Sequence, residues 1–306
     1  MKSCFLFPGQ GAQYPGMGED LWQESAAVKE LFRIASESSG VNLQQIIFDG
    51  TEEELKATDK TQIAVTLINV SAAAVMKENG IEPDGAAGFS LGEYAALHEA
   101  GVIRPEDLFP IVKARGVFME KASRHLDSPS GNPGMAAVIG LEYERVMEVI
   151  ERIEGIYLGL YNSPIQVVVA GTFDGLEKAE GAFKEAGARR FVRLKVSGPF
   201  HTPLLQEASD ALMELLDGYV FSEPRLPVYA NVTGKQITTA EDAKQYCIQQ
   251  IVKPVRWVEE QRSLVADGYE RYYEVGPGTV LTGLWRYIDK DHPCRPAGKL
   301  EEIEQL

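Results

Sequence analysis

One segment of this sequence has the spacing of a nucleophile. Gly88-Phe89-Ser90-Leu91-Gly92 is a G-x-S-x-G that follows the apolar run GAAGF and opens a helical stretch. In a strand–turn–helix of this kind the serine Oγ stands exposed on a tight turn. Glycine on either side relieves the crowding there. The Leu91 N–H then faces the space above Ser90, which makes it a candidate oxyanion donor. A serine hydroxyl is a weak nucleophile until a base takes its proton. The histidines available are His98, His125, His201 and His292. His98 lies about two turns beyond Ser90 on the same helix and cannot reach back. His125 ends a polar helix beside Arg124, which suits a dipole or solvated role. His292, in Asp289-Lys290-Asp291-His292-Pro293, reads as a surface loop. His201, in Ser197-Gly198-Pro199-Phe200-His201-Thr202-Pro203, sits in a turn entering a helix and is the best candidate base. No Asp or Glu adjoins it, so the group that orients it is left open; a backbone carbonyl can serve. A second glycine-rich turn, Pro8-Gly9-Gln10-Gly11-Ala12-Gln13, follows the first apolar run. It lacks the Lys-Ser/Thr of a P-loop and the third glycine of a dinucleotide fingerprint. It does let backbone amides approach a ligand closely, and the Gln10 N–H is a candidate second oxyanion donor.

These residues need elements to hold them. Residues 3–7 (SCFLF) and 85–89 (GAAGF) read as buried strands, each running into one of the two turns. Helical spacing covers 19–38, 61–79, 91–99 and 106–124, and Thr51 with Glu54 fits a capping box. The breaker cluster DSPSGNPG at 127–134 marks a boundary. Beyond it come a strand at 135–140, a helix at 142–152, strands at 156–161 and 166–171, a helix at 174–186 and a strand at 190–196. That order is β-α-β-β-α-β, the ferredoxin-like pattern, so a small inserted domain is expected over 130–196. The remainder, 1–129 and 197–306, alternates strands and helices as a parallel α/β sheet does. It is expected to include helices over 203–217, 254–267 and 279–288, a short strand at Val228-Tyr229 and a buried strand at 272–276. The acidic tail after Pro296 is expected to be peripheral.

The chain has 306 residues, enough to bury a full core without disulfides or metals. Its formal net charge of −15 argues against general nucleic-acid binding and against adsorption to anionic membranes. Cys4, Cys247 and Cys294 form neither a disulfide framework nor a metal-ligand spacing. No secretory leader or membrane-spanning run is evident, so a cytoplasmic location is expected.

At this point the residues carry a family resemblance. FPGQGAQ at 7–13, GFSLGEY at 88–94, ARGVFM at 114–119, YNSPIQVVVAG at 161–171, GPFHTPLL at 198–205, ANVTG at 230–234, QIVKPVRW at 250–257 and EVGPG at 274–278 occur in order along the chain. Together they resemble malonyl-CoA:acyl-carrier-protein transacylases and the acyltransferase domains of polyketide synthases. The resemblance implies an α/β-hydrolase-like large subdomain with a ferredoxin-like insert. It implies Ser90 as nucleophile and His201 as base, with Gln10 and Leu91 supplying oxyanion amides. Arg115 would grip the substrate's free carboxylate, which its fork of N–H groups suits better than a lysine does. Gln250 would orient His201 through its backbone carbonyl, filling the open position. Asn162 would help shape the acyl pocket, and Phe200 before His201 goes with malonyl over methylmalonyl. The reaction implied is ping-pong transfer of malonyl from malonyl-CoA to the phosphopantetheine thiol of an acyl carrier protein, with no resident metal or cofactor and a monomer as the simplest assembly.

Two positions depart from the family pattern. Phe89 stands where the family usually has histidine, which removes a hydrogen bond near the acyl pocket. Glu120 stands where glutamine is frequent, one turn past Arg115, where it could compete for the guanidinium. Other readings use the same residues: a serine hydrolase of the editing type with water as acceptor, a trans-acting polyketide acyltransferase, or, more remotely, a non-catalytic carrier-binding module. The anionic substrates pose a problem for a chain of −15, and local charge must offset it. From Lys184 to Lys195 the sequence carries Lys184, Arg189, Arg190, Arg193 and Lys195 against Glu185, a local balance of +4. This segment, with Arg189 and Arg190 at its centre, is the expected docking face for carrier or CoA.

Overall fold

The first strand sets the layering. β1 (Lys2–Phe7) is buried from Ser3 onward. Phe5 and Phe7 enter the core on one face, while Cys4 and Leu6 enter a separate core on the other. That is the alternation of a strand covered on both faces, as parallel sheets are. In this computed structural model the backbone of residues 1–306 is described, together with every side chain except those of Lys56 and Asp59.

The remaining strands are β2 (Gly85–Gly88), β3 (Gly134–Ile139), β4 (Ile156–Ser163), β5 (Gln166–Gly171), β6 (Arg190–Arg193), β7 (Val228–Ala230), β8 (Lys235–Ile237), β9 (Tyr269–Glu274) and β10 (Cys294–Pro296). They make two sheets. The larger has the order β10-β9-β1-β2-β7-β8. Its strands pair in parallel except for the closing β7–β8 hairpin. The smaller is antiparallel with the order β4-β5-β3-β6. That is the order a β-α-β-β-α-β unit gives when its two crossovers interleave.

Helices α1 (Glu19–Glu24), α2 (Ala26–Ser39), α3 (Glu52–Lys56), α4 (Thr58–Glu78), α5 (Gly92–Glu99) and α6 (Pro105–Arg124) precede the small sheet. α7 (Tyr143–Ile150) and α8 (Phe173–Glu185) cover it, and its core of Val138, Val146, Val167, Val169, Leu176 and Phe183 is separate from the main one. α9 (Gln206–Leu216), α10 (Ala240–Gln250), α11 (Trp257–Ala266), α12 (Val280–Trp285) and α13 (Leu300–Glu304) complete the chain.

Several expectations are revised. The helix expected over 19–38 is two helices, because Ser25 is extended and its side chain accepts the Val28 N–H as an N-cap. The strand expected over 190–196 stops at Arg193, and Leu194 and Val196 leave the sheet to line the site. The tail is not peripheral: β10 is the edge strand beside β9, Ala297 and Ile303 are buried, and α13 packs on α4. α10, which carries Gln250, was not anticipated as a helix, because its exposed face is polar and only Ala243, Cys247, Ile248 and Gln250 are buried. Among the described residues no helix is long and apolar enough to cross a membrane.

Candidate active site

Two residues depart from the backbone conformations that side chains prefer. Among the described non-glycine residues, Ser90 (φ 52°) and His201 (φ 62°) have positive φ. Each costs about 1–2 kcal/mol and persists only when its surroundings hold it. Ser90 sits between β2 and α5, on a turn that two glycines make feasible. A Cβ on Gly88 would run into the Gly92 backbone, and one on Gly92 into the Phe7 carbonyl. Both backbone polar groups of Ser90 are taken by side chains. Its N–H donates to Asn231 Oδ1 at 2.6 Å, and its carbonyl accepts from Gln250 Nε2 at 3.1 Å.

His201 lies on the turn before α9, buried to 3% exposure. Its Nε2 is 2.7 Å from Ser90 Oγ and its Nδ1 is 2.7 Å from the Gln250 carbonyl oxygen. A carbonyl can only accept, so Nδ1 carries the proton and the Nε2 lone pair faces the serine hydroxyl. Burial and then the positive Arg115 push the imidazole pKa down to about 3, against the Gln250 bond, which pulls it up. The base is therefore neutral at ordinary pH. The Gln10 and Leu91 N–H groups have no backbone acceptor among the described residues. Gln10 lines the same cavity as Ser90, and Leu91 directly precedes α5.

That cavity, about 100 Å³, is walled by Phe89, Met119, Met135, Leu160, Leu194, Val196 and Phe200. Into it come Ser90, His201, Gln10 and one cation, Arg115. Arg115 is 1% exposed on α6. Its two terminal nitrogens donate to Gln62 Oε1 and Gln250 Oε1, each at 2.8 Å, and the guanidinium lies 5.4 Å from the Tyr94 ring centroid. Neutral amide oxygens aim the fork without cancelling its charge. A buried cation held this way is stabilised most by an anion that arrives with the substrate.

The remaining expected residues fall out as follows. Glu120 does not compete for Arg115: it accepts from Thr58 Oγ1 at 3.0 Å and pairs with Arg124 at 3.2 Å, because it leaves α6 toward the start of α4 and not toward the cavity. Asn162 is buried, but β4 reaches the cavity through Leu160. A register shift between Tyr161 and Ser163 breaks the alternation that would otherwise put Asn162 on the same face. Phe89 packs edge-on against Trp257, with ring centroids 5.5 Å apart, and the buried Trp257 Nε1 has no partner among the described residues. His98 is tied to the Ile103 carbonyl, His125 to Glu207 and His292 to Asp289, so none of them approaches the serine. The basic segment is less positive in space than in sequence. Lys184 pairs with Glu180 and Arg193 with Glu177, both at 2.6 Å. Arg189, Arg190 and Lys195 are exposed, with no acidic partner within 4.0 Å among the described residues.

Four buried polar residues that hold the site were not singled out from sequence: Gln62, Glu93, Asn231 and Glu260. Glu93 and Asn231 lie inside the GFSLGEY and ANVTG blocks. Gln62 is a polar residue inside the buried run of α4, a signal that periodicity alone could have raised. Glu260, in a stretch reading WVEEQ, offers none.

Comparison with known proteins agrees with this geometry. Residues 4–294 match the acyl transferase domain family. The chain is 39% identical over 293 residues to a malonyl CoA-acyl carrier protein transacylase of Bacillus subtilis, covering 94% of this chain and 91% of that protein. It is 39% identical over 289 residues to one from Escherichia coli, covering 93% and 92%. Among solved structures, the MCAT of Streptococcus pneumoniae superposes with a TM-score of 0.94 at 36% identity over 100% of both chains. A malonyl-transacylase solved in complex with a type II PKS acyl-carrier protein does so with a TM-score of 0.94 at 35% identity, over 100% of this chain and 98% of that one.

Proposed function

The chain belongs to the acyl transferase domain family, and we propose on that footing that it moves a malonyl group from malonyl-CoA to the phosphopantetheine thiol of an acyl carrier protein through a malonyl-Ser90 ester. The observation that carries the reading is one cavity of about 100 Å³ holding both a Ser90–His201 pair and the buried Arg115. The pair supplies acyl chemistry, and the cation supplies a reason to prefer an acyl group that ends in a carboxylate. The cavity is too small for a long chain, and apart from Gln10, Ser90, Arg115 and His201 its walls are apolar.

The chemistry follows from the bonds. Ser90 Oγ attacks the thioester carbonyl as its proton passes to His201 Nε2, and the oxyanion that forms is received by the Gln10 and Leu91 N–H groups. The C–S bond breaks, and the CoA sulfur leaves with the proton from His201. The carrier thiol then gives its proton to His201 and attacks the ester, and Ser90 departs with that proton. Gln250 serves each step twice, its carbonyl fixing the His201 tautomer and its side-chain oxygen aiming Arg115. Arg189 and Arg190, with Lys195, are exposed cations proposed to meet the acidic carrier, in the stretch that carries the cavity-lining Leu194 and Val196.

The test is intact-protein mass spectrometry after mixing with malonyl-CoA, with and without holo-carrier protein. The reading expects a malonyl adduct on Ser90 that persists in water and is discharged by carrier. Absence of the adduct, or release of free malonate at a rate that carrier does not change, would overturn it; the second result is what an editing hydrolase gives.

A further inference from the structure

Behind the nucleophile lie two carboxyl groups that the mechanism does not use. Glu93, on α5, and Glu260, on α11, are both fully buried. Between them sits Asn231, at the end of β7. Its backbone N–H donates to Glu93 Oε2 at 3.0 Å. Its side-chain Nδ2 donates to the Gly88 carbonyl at 2.6 Å and to Glu260 Oε2 at 2.9 Å. Its Oδ1 accepts the Ser90 N–H at 2.6 Å. Glu93 Oε2 also takes Gln250 Nε2 at 2.6 Å, so the group that holds Arg115 and the Ser90 carbonyl joins the same network.

An asparagine amide presents an oxygen and a nitrogen of nearly equal shape, and only its partners decide which end points where. For Ser90 to keep its positive φ, the end facing its N–H must be the oxygen. Glu260 uses the second hydrogen of Nδ2, the one that the Gly88 carbonyl leaves over. With it in place a turned amide would set its oxygen against two acceptors and its nitrogen against a donor. Without it the amide keeps one fewer restraint, and a buried N–H is left without a partner.

We infer that Glu260 is a positioning residue for the nucleophile: through its acceptor oxygen it fixes the Asn231 amide, which in turn holds Ser90 in the conformation that aims Oγ at His201. The inference rests on the malonyl-Ser90 chemistry above. Burial, reinforced by the charge of Glu93, pushes the Glu260 carboxyl well above the ordinary carboxylate range and so favours the acid form. Glutamine is the near-isostere of that form and keeps the acceptor oxygen. Leucine keeps the bulk and removes it.

The experiment is single-turnover acylation of the purified full chain at saturating malonyl-CoA, with the concentration dependence measured alongside. Wild-type adduct formation tests the parent reading by itself; if wild type acquires no malonyl group, that reading fails irrespective of Glu260. With wild type active, Glu260→Gln is expected to acylate within about threefold of it, and Glu260→Leu about tenfold or more slowly, with the malonyl-CoA concentration at half-maximal rate unchanged. Rescue by glutamine and an effect confined to the maximal rate are what a merely structural role would not produce. Glu260→Leu acylating at the wild-type rate, or Glu260→Gln as slow as leucine, would overturn the inference. If Glu260→Leu does not fold, Glu260→Ala, which removes the acceptor without placing a branched side chain there, is read by the same outcomes.

Discussion

The base and the carboxylate clamp act on each other. Arg115 depresses the His201 pKa, second only to burial. A substrate carboxylate seated on Arg115 offsets that positive charge, so the imidazole of the loaded enzyme is more basic than that of the empty one. The sign is fixed: the neutral ring is the working form, it is fully present above the folded pKa, and it is lost as pH falls through it. In the free enzyme that fall lies near 3. The profile of kcat/KM for acylation is therefore expected to show no inflection near 6.5, the ordinary histidine value. The acid limb of kcat, which reports the loaded form, should lie at higher pH. Coincident limbs in a stopped-flow pH series would refute the coupling. Arg115 itself is tested by lysine, which keeps the charge but not the fork. Arg115→Lys should lower kcat/KM for malonyl-CoA by about 10–100-fold, the loss of one to two charged hydrogen bonds, while acylation by acetyl-CoA changes little. Equal losses with the two donors, measured by adduct mass spectrometry, would deny the clamp.

Elements explain why part of the site can be read from sequence and part cannot. The elbow is legible because its constraint is local: strand, serine and helix are contiguous, and the two glycines are required by the backbone of the same turn and of β1. The β-α-β-β-α-β order of the small sheet is legible for the same reason, since β3, β4 and β5 are short apolar runs set off by turn residues of their own. Gln62 could be flagged as a polar residue in a buried run, but the roles of Gln62, Asn231 and Glu260 are illegible because nothing near them in sequence needs them. Their partners are Arg115, Gly88, Ser90 and each other, tens to more than a hundred residues away. Asn162 is the converse case: β4 lines the cavity through Leu160, and a register shift between Tyr161 and Ser163 interrupts the alternation on which a second lining position two residues on would depend. The elbow's contact with β1 gives a sharp expectation. Gly92→Ala drives a Cβ into the Phe7 carbonyl, a backbone atom that cannot swing away. The cost should be about 1–3 kcal/mol, as for other overpacked sites. Activity should fall with it, since α5 and Ser90 shift together. A Gly92→Ala chain with wild-type midpoint in urea and wild-type acylation would show that the turn has slack the structure does not display.

At the scale of the molecule the question is how an acidic protein meets two acidic substrates. The net charge is −15, and an acyl carrier bearing phosphopantetheine, like CoA, is anionic. Unscreened, such partners repel, and at physiological salt the field of the whole chain fades over about 8 Å. What decides encounter is therefore the sign of charge within a Debye length of the cavity mouth. In sequence the 184–195 segment carries a balance of +4, but in the fold Lys184 and Arg193 pair with Glu180 and Glu177. Arg189, Arg190 and Lys195 are left exposed beside β6, whose continuation, Leu194 and Val196, forms one wall of the cavity. A carrier seated there would place its thiol arm close to Ser90 while its acidic face met unpaired cations. Arg189→Glu with Arg190→Glu removes two attractions and adds two repulsions, each exposed and worth about 0.2–1 kcal/mol. The Michaelis constant for carrier should rise about five- to tenfold at low ionic strength and converge on wild type as salt is added. Acylation by malonyl-CoA and turnover at saturating carrier should stay near wild type, because neither arginine touches the cavity. An unchanged carrier constant at low salt would move the docking face elsewhere, and a loss of the first half-reaction would mean that the same cations serve CoA as well as carrier.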